Sequence, residues 1–150
     1  MAGAPSTEQI RQLLLQAQSA AARQLDLIRE QQPLTRAFLG EHLRQYVLDK
    51  YMLTPEDAAT DDFNELTQLS LARSMKVSSS LVREYDIARS CTGTSSAMAK
   101  KVLLFLSIQK ALDIELPAIE SAAIVTLDDL ADLAWGAMES SPAWQGRLAS

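Results

Sequence analysis

Residues 102–133 have the sequence VLLFLSIQKALDIELPAIESAAIVTLDDLADL. Apolar residues in the first part spread almost all round a helix that reaches back to Met98, which predicts a central, buried helix ending at Asp113. The following Ile-Glu-Leu-Pro predicts an extended connector, because proline cannot continue a helix. Thr126 with Asp129 three residues later predicts a capped helix. We therefore expect two core helices joined by a connector and a short helical turn.

The composition favours helices throughout the chain. A length of 150 residues fits one domain, and 47% of the residues are hydrophobic while only 5% are aromatic. Alanine, leucine and glutamine are abundant, and these residues favour helices over the β-branched pattern of a sheet. The predicted fold class is all-α.

Charge and residue counts exclude several classes of function. The net charge of −5, without a Lys/Arg-rich tract, argues against a nucleic-acid partner. One cysteine, Cys91, and one histidine, His42, leave no basis for a disulfide framework, a zinc site or a histidine-based catalytic triad. No segment approaches the roughly 20 apolar residues of a membrane span, and the N-terminus lacks a signal-peptide pattern. We predict a cytoplasmic protein with no metal, and we expect Cys91 to be an idle thiol.

The N-terminal segment predicts one long helix. Ser6 is a suitable N-cap, apolar residues recur at helical spacing from Ile10 to Ile28, and the Gln-Gln-Pro sequence at 31–33 ends the pattern. We expect this stripe to lie on the domain's own core. Because the stripe is rich in alanine and suits close helix approach, the alternative is a homodimer or a partner contact through this helix.

Several further helical segments are indicated before the central helix. Apolar spacing predicts a helix over about 35–50, in which His42 stacks on an aromatic ring and has no catalytic role. Thr54 caps a helical turn, and a second cap signal lies at 60–62. One or two extra helices are expected between Gln68 and Cys91, with a break at 78–80.

In residue type and spacing, 102–133 resembles the second half of an acyl carrier protein, and 43–66 resembles that family's first helix and long first loop. The resemblance implies a carrier-like four-helix bundle in residues 34–150. Residues 1–33 would add a long N-terminal helix, and about 67–92 would be an inserted helical segment.

Acyl carrier proteins hold an acyl group as a thioester on a phosphopantetheine arm, which is attached to a serine in an Asp-Ser-Leu motif at the start of their second main helix. This motif does not occur here, and a gapless alignment places Met98 at the modified position. A slightly earlier helix start makes Ser96 the attachment residue, with Ser95 in place of the aspartate. Ser70, followed by Leu71, is the second candidate, and a carrier-like fold that is never modified is the third alternative.

The resemblance also bears on partners. Typical carriers have acidic residues where this chain has Lys100 and Lys101. We therefore expect a dedicated partner with acidic residues to contact Met98 and these two lysines. The alternative is that both lysines are simply solvated. We expect that the protein is not itself an enzyme. It would present an acyl or aminoacyl group to biosynthetic or peptide-modifying enzymes after loading by a phosphopantetheinyl transferase. The alternative is an unmodified module that docks and assembles enzymes.

Overall fold

The computed structural model describes residues 6–78 and 93–149, apart from the side chains of 74–78 and 93–96. This part of the chain is all-α, which confirms the predicted fold class. It contains α1 (Thr7–Glu30), α2 (Arg36–Lys50), α3 (Phe63–Ser78), α4 (Gly93–Leu112), α5 (Ala118–Ala123), α6 (Leu127–Glu139) and a 3-10 turn (Pro142–Trp144). None of these helices is both long enough and apolar enough to cross a membrane.

Helix α1 is the predicted long N-terminal helix, but only its second half lies on the core. Ser6 and Gln9 form a capping box, and the helix ends before Gln31. The buried residues are Ala21, Leu25 and Ile28, whereas the first half exposes apolar side chains at Leu13, Leu14 and Leu15. The prediction that the whole stripe lies on the core is therefore wrong for the first half. Homodimerisation through this helix stays a prediction.

Helices α1 and α2 form a closely packed antiparallel pair, and α2 also packs against α6. Thr35 caps α2 by accepting a hydrogen bond from the Phe38 amide, and the helix predicted over about 35–50 is confirmed. His42 stacks on Phe38 with ring centroids 4.1 Å apart, and its Nδ1 lies 2.7 Å from Oε1 of Gln24 on α1. The predicted aromatic contact of His42 is confirmed, and the histidine helps to join the two helices.

Helix α4 is buried on one side only, which corrects the prediction of a helix buried all round. Its buried residues are Leu104, Phe105, Ile108 and Leu112. Exposed apolar side chains occupy the other side at Met98, Val102, Leu103 and Leu106. The neighbours α1 and α3 cover only part of its circumference.

The segment after α4 follows the predicted order. Asp113 has a positive φ of 53°, after which Ile114 and Leu116 are buried in the connector. Thr126 and Asp129 form the predicted capping box of α6. The chain end returns to the α1–α2 junction, where the backbone of Leu34 pairs with residues on both sides of Leu148.

Candidate functional site at the start of helix α4

Ser96, the first candidate attachment residue, belongs to the opening turn of α4, which begins at Gly93. The first amides of a helix lack intrahelical acceptors, and the helix dipole adds a positive potential there. No acidic residue lies in this first turn. A phosphodiester attached at this end of α4 would therefore meet free amides and no carboxylate from the first turn itself.

The exposed apolar residues of α4 form a continuous strip next to this turn. Met98, Val102 and Leu106 are four residues apart and so lie one above the other, with Leu103 beside them. Their exposed fractions are 68%, 46%, 51% and 64%, in the order Met98, Val102, Leu106 and Leu103. We call these four residues the α4 face. A contiguous exposed apolar surface is typical of an interaction site.

Lys100 and Lys101 lie on the other side of α4 and contact the domain. The Nζ of Lys100 is 5.3 Å from the ring centroid of Tyr51, and the Nζ of Lys101 is 5.4 Å from that of Phe63. Lys101 also donates a hydrogen bond of 2.9 Å to Oδ1 of Asn64. Burial, and secondarily the charge of Lys50, lowers the pKa of Lys100. Both lysines thus join the start of α4 to α2 and α3, and their contact with a partner stays a prediction.

Ser70, the second candidate, lies in the interior of α3 and is only 1% exposed. Its hydroxyl donates a hydrogen bond of 2.9 Å to the backbone carbonyl of Tyr51. Nearby, Thr67 donates to the carbonyl of Phe63, so the Tyr51 hydroxyl donates to Oγ1 of Thr67 at 3.0 Å. Burial raises the pKa of Tyr51 to about 12. Ser70 is therefore a structural hydroxyl, and this position could not accept an arm without opening α3.

Three predicted features lie wholly or partly between α3 and α4, outside the described residues. Cys91 lies outside the described residues, as do residues 79–80 of the predicted break, although α3 itself ends at Ser78. The predicted insertion at about 67–92 begins within α3, and its part from 79 onward is likewise outside the described residues.

Within the described ranges, no group of three or more His, Cys, Asp or Glu side chains could hold a metal ion. Comparisons with protein-family models, with curated proteins and with solved structures gave no match. Of the α4 face, only Met98 was predicted to contact a partner, whereas Val102, Leu103 and Leu106 were predicted to belong to the core. Helical spacing alone does not distinguish a core-facing strip from one that faces a partner.

Proposed function

We propose that this chain is a divergent acyl-carrier-like protein that holds a thioester-bound acyl or aminoacyl group on a phosphopantetheine arm attached to Ser96. The observation that carries the proposal is the position of Ser96 in the first turn of a 20-residue helix, directly before the exposed α4 face. An arm attached there would be presented next to a surface on which partner enzymes can dock. The arm supplies the thiol that carries the acyl group.

The order of elements supports this proposal. We assign the four helices of a carrier-like bundle to α2, α4, α5 and α6, and the added N-terminal helix to α1. The inserted segment begins within α3, at about residue 67. The connector at 114–117 precedes the short helix α5 and the capped start of α6, and this order agrees with the one that the resemblance implies. The free amides of the first turn of α4 would hold the phosphodiester.

The proposed role of the α4 face is to meet the loading and acyl-using enzymes of a specialised biosynthetic or peptide-modifying pathway. Four neighbouring apolar side chains would lose contact with water in such an interface, with about 25 cal/mol gained per Å² of apolar surface buried. The partner surface that was predicted at Met98 is thereby enlarged by three residues, Val102, Leu103 and Leu106. It also makes apolar contact, more than the charge of the lysines, the main source of affinity.

The attachment is tested by coexpression with a broad-specificity phosphopantetheinyl transferase, followed by intact mass measurement. We expect the mass of one phosphopantetheine group on the wild-type chain and on Thr94→Ala, and none on Ser96→Ala. Thr94 is the matched control because it is a hydroxyl residue of the same helical turn and has no counterpart in the proposed attachment pair of Ser95 and Ser96. An unmodified wild-type chain, or modification that survives Ser96→Ala, would refute attachment at Ser96.

The second candidate function is an unmodified docking module that assembles partner enzymes. It is favoured by the exposed α4 face together with the missing Asp-Ser-Leu motif. This candidate predicts that the unmodified wild-type chain copurifies with a defined enzyme from its own host. The Leu103→Gln, Leu106→Gln double variant should lose that enzyme, whereas Ser96→Ala should retain it. Loss in Ser96→Ala would instead favour the carrier.

A further inference from the structure

A cleft of about 700 Å³ lies away from the start of α4, between the second half of α1, the end of α4 and the C-terminal segment. Its volume is in the range of small-molecule sites. The apolar surface that a ligand can reach comes from Ala22 of α1, Ala111 of α4 and Ala143 of the C-terminal segment, and the buried side chains of Leu25 and Trp144 lie beneath it.

The walls of the cleft are fixed by contacts between distant parts of the chain. The Trp144 indole is buried and donates a hydrogen bond of 2.6 Å to the carbonyl of Leu112. The guanidinium of Arg147 lies 4.4 Å from the Trp144 ring and donates a hydrogen bond to the backbone carbonyl of Arg29 on α1. The Leu34 amide donates to the carbonyl of Arg147 at 2.8 Å. The cleft is therefore preformed, with little ordering left for a ligand to induce.

The charge of the cleft is opposite to that of the whole protein. Its lining holds four cationic side chains, Arg29, Lys50, Lys110 and Arg147, against one carboxylate, Asp113. The chain as a whole carries a net charge of −5. Among the described residues, Lys50, Lys110 and Arg147 form no ion pair with a carboxylate, and Arg29 has a long one of 3.6 Å with Asp26.

Tyr46 adds no negative charge to the cleft at neutral pH. It also lines the cleft, and its side chain is buried. Burial raises the pKa of its hydroxyl, which therefore stays protonated. A group that enters the cleft thus meets an apolar floor and an excess of positive charge.

We propose that this cleft binds a small amphipathic anion, a carboxylate or phosphate head group on an apolar chain. The apolar chain lies against Ala22, Ala111 and Ala143, above the buried Leu25 and Trp144, and the head group lies near Lys50 and Lys110. A neutral apolar molecule would leave the cations without a counter-charge, and a cation would be repelled by them. The site does not require phosphopantetheine attachment, because none of its residues lies in the first turn of α4.

Calorimetric titration with three probes of equal chain length tests the proposal. Octanoate and octyl phosphate supply the two head groups, and octanol is the neutral control. We expect saturable 1:1 binding of at least one anion and at least about tenfold weaker binding of octanol, since two partly exposed ion pairs together account for about that factor. The tighter anion identifies the head group. Binding of neither anion, or equal binding of octanol, would overturn the proposal.

Two sets of variants locate the binding in the cleft. The double variant Lys50→Gln, Lys110→Gln should weaken anion binding about tenfold. The control is the double variant Arg11→Gln, Arg23→Gln, which removes the same charge from exposed positions of α1 outside the cleft. It should leave anion binding unchanged.

The second set alters the shape of the cleft and leaves its charge intact. Ala22→Leu narrows the cleft and should weaken anion binding. Ala20→Leu is the control, because it adds the same group at an exposed position outside the cleft lining, and it should leave anion binding unchanged. Ser96→Ala should bind the anion like the wild type, so failure of the carrier proposal would leave this result intact. If Ala22→Leu and the double lysine variant bind like their controls, the cleft is not the site.

Discussion

The indole Nε1 of Trp144 donates a hydrogen bond of 2.6 Å to the backbone carbonyl of Leu112, the last residue of α4. The final carbonyls of a helix have no intrahelical donor, so the tryptophan caps α4 from 32 residues further along the chain. Trp144→Phe removes this donor from a buried site and leaves a small cavity. We expect it to lower the free energy of unfolding by about 1–3 kcal/mol, measured by urea denaturation.

Trp135→Phe is the matched control, because it makes the same substitution at a half-buried position of α6. Trp135→Phe should lower the free energy of unfolding by a clearly smaller amount, because water can fill the space that the smaller ring leaves at a half-buried position. An equal loss of stability in the two variants would show that the hydrogen bond to Leu112 adds nothing beyond packing.

Adjacent leucines on α4 should respond very differently to truncation. Leu104 is 1% exposed and Leu103 is 64% exposed. Leu104→Ala creates a cavity in the core and should cost about 2–5 kcal/mol of unfolding free energy. Leu103→Ala removes a side chain already in water and should change it by less than about 0.5 kcal/mol. Thermal and urea unfolding of the pair would measure this, and similar losses would contradict the assignment of the α4 face to the surface.

Helix boundaries were the most predictable feature of this chain, because caps depend on local chemistry. Ser6 and Thr126 each accept a hydrogen bond from the backbone amide three residues later, as their sequence positions predict, and Thr35 does the same at the start of the helix predicted over about 35–50. The aromatic contact of His42 was predictable for the same reason, since residues four apart on a helix are neighbours.

The environments of individual side chains were less predictable, because they depend on which helices meet. Leu103 and Leu104 are both apolar members of one helix, and only the position of neighbouring helices determines which is buried. Ser70 has the residue type of an attachment site but lies under α2, where its hydroxyl reaches Tyr51. The cationic cleft was equally hidden, since Arg29 and Arg147 are 118 residues apart.

Substitutions at Arg36 and Gly40 of α2 should have non-additive effects on the free energy of unfolding. The Arg36 guanidinium bridges α2 to Asp128 and Asp132 of α6, at 2.8 Å in each case. A Cβ at position 40 would lie 2.6 Å from Nη1 of Arg36, so alanine there must displace the guanidinium. Gly40→Ala should therefore stabilise the Arg36→Ala variant by about 0.5–1 kcal/mol through helix propensity, and stabilise the wild type less.

Gly136→Ala is the control for this cycle. A Cβ at Gly136 in α6 meets nothing within 4 Å, so alanine should stabilise both backgrounds equally, again by about 0.5–1 kcal/mol. Equal gains from Gly40→Ala in the two backgrounds would show that the guanidinium moves without cost.

The Asp129 carboxylate makes the stability of α6 depend on pH. It accepts hydrogen bonds of 3.0 Å from the amides of Thr126 and Val125, which hold its pKa below the ordinary 3.8. A pKa lowered by folding stabilises the protein above the unfolded-state value, and this contribution is lost as the pH falls through the folded-state value. Asp129→Asn should therefore lower the melting temperature at pH 7, and the deficit should shrink as the pH falls below 3.8. Glu41→Gln, at an exposed position beyond the first turn of α2, should show neither effect. A deficit in Asp129→Asn that persists undiminished in acid would mean that the ionised carboxylate is not what stabilises the cap.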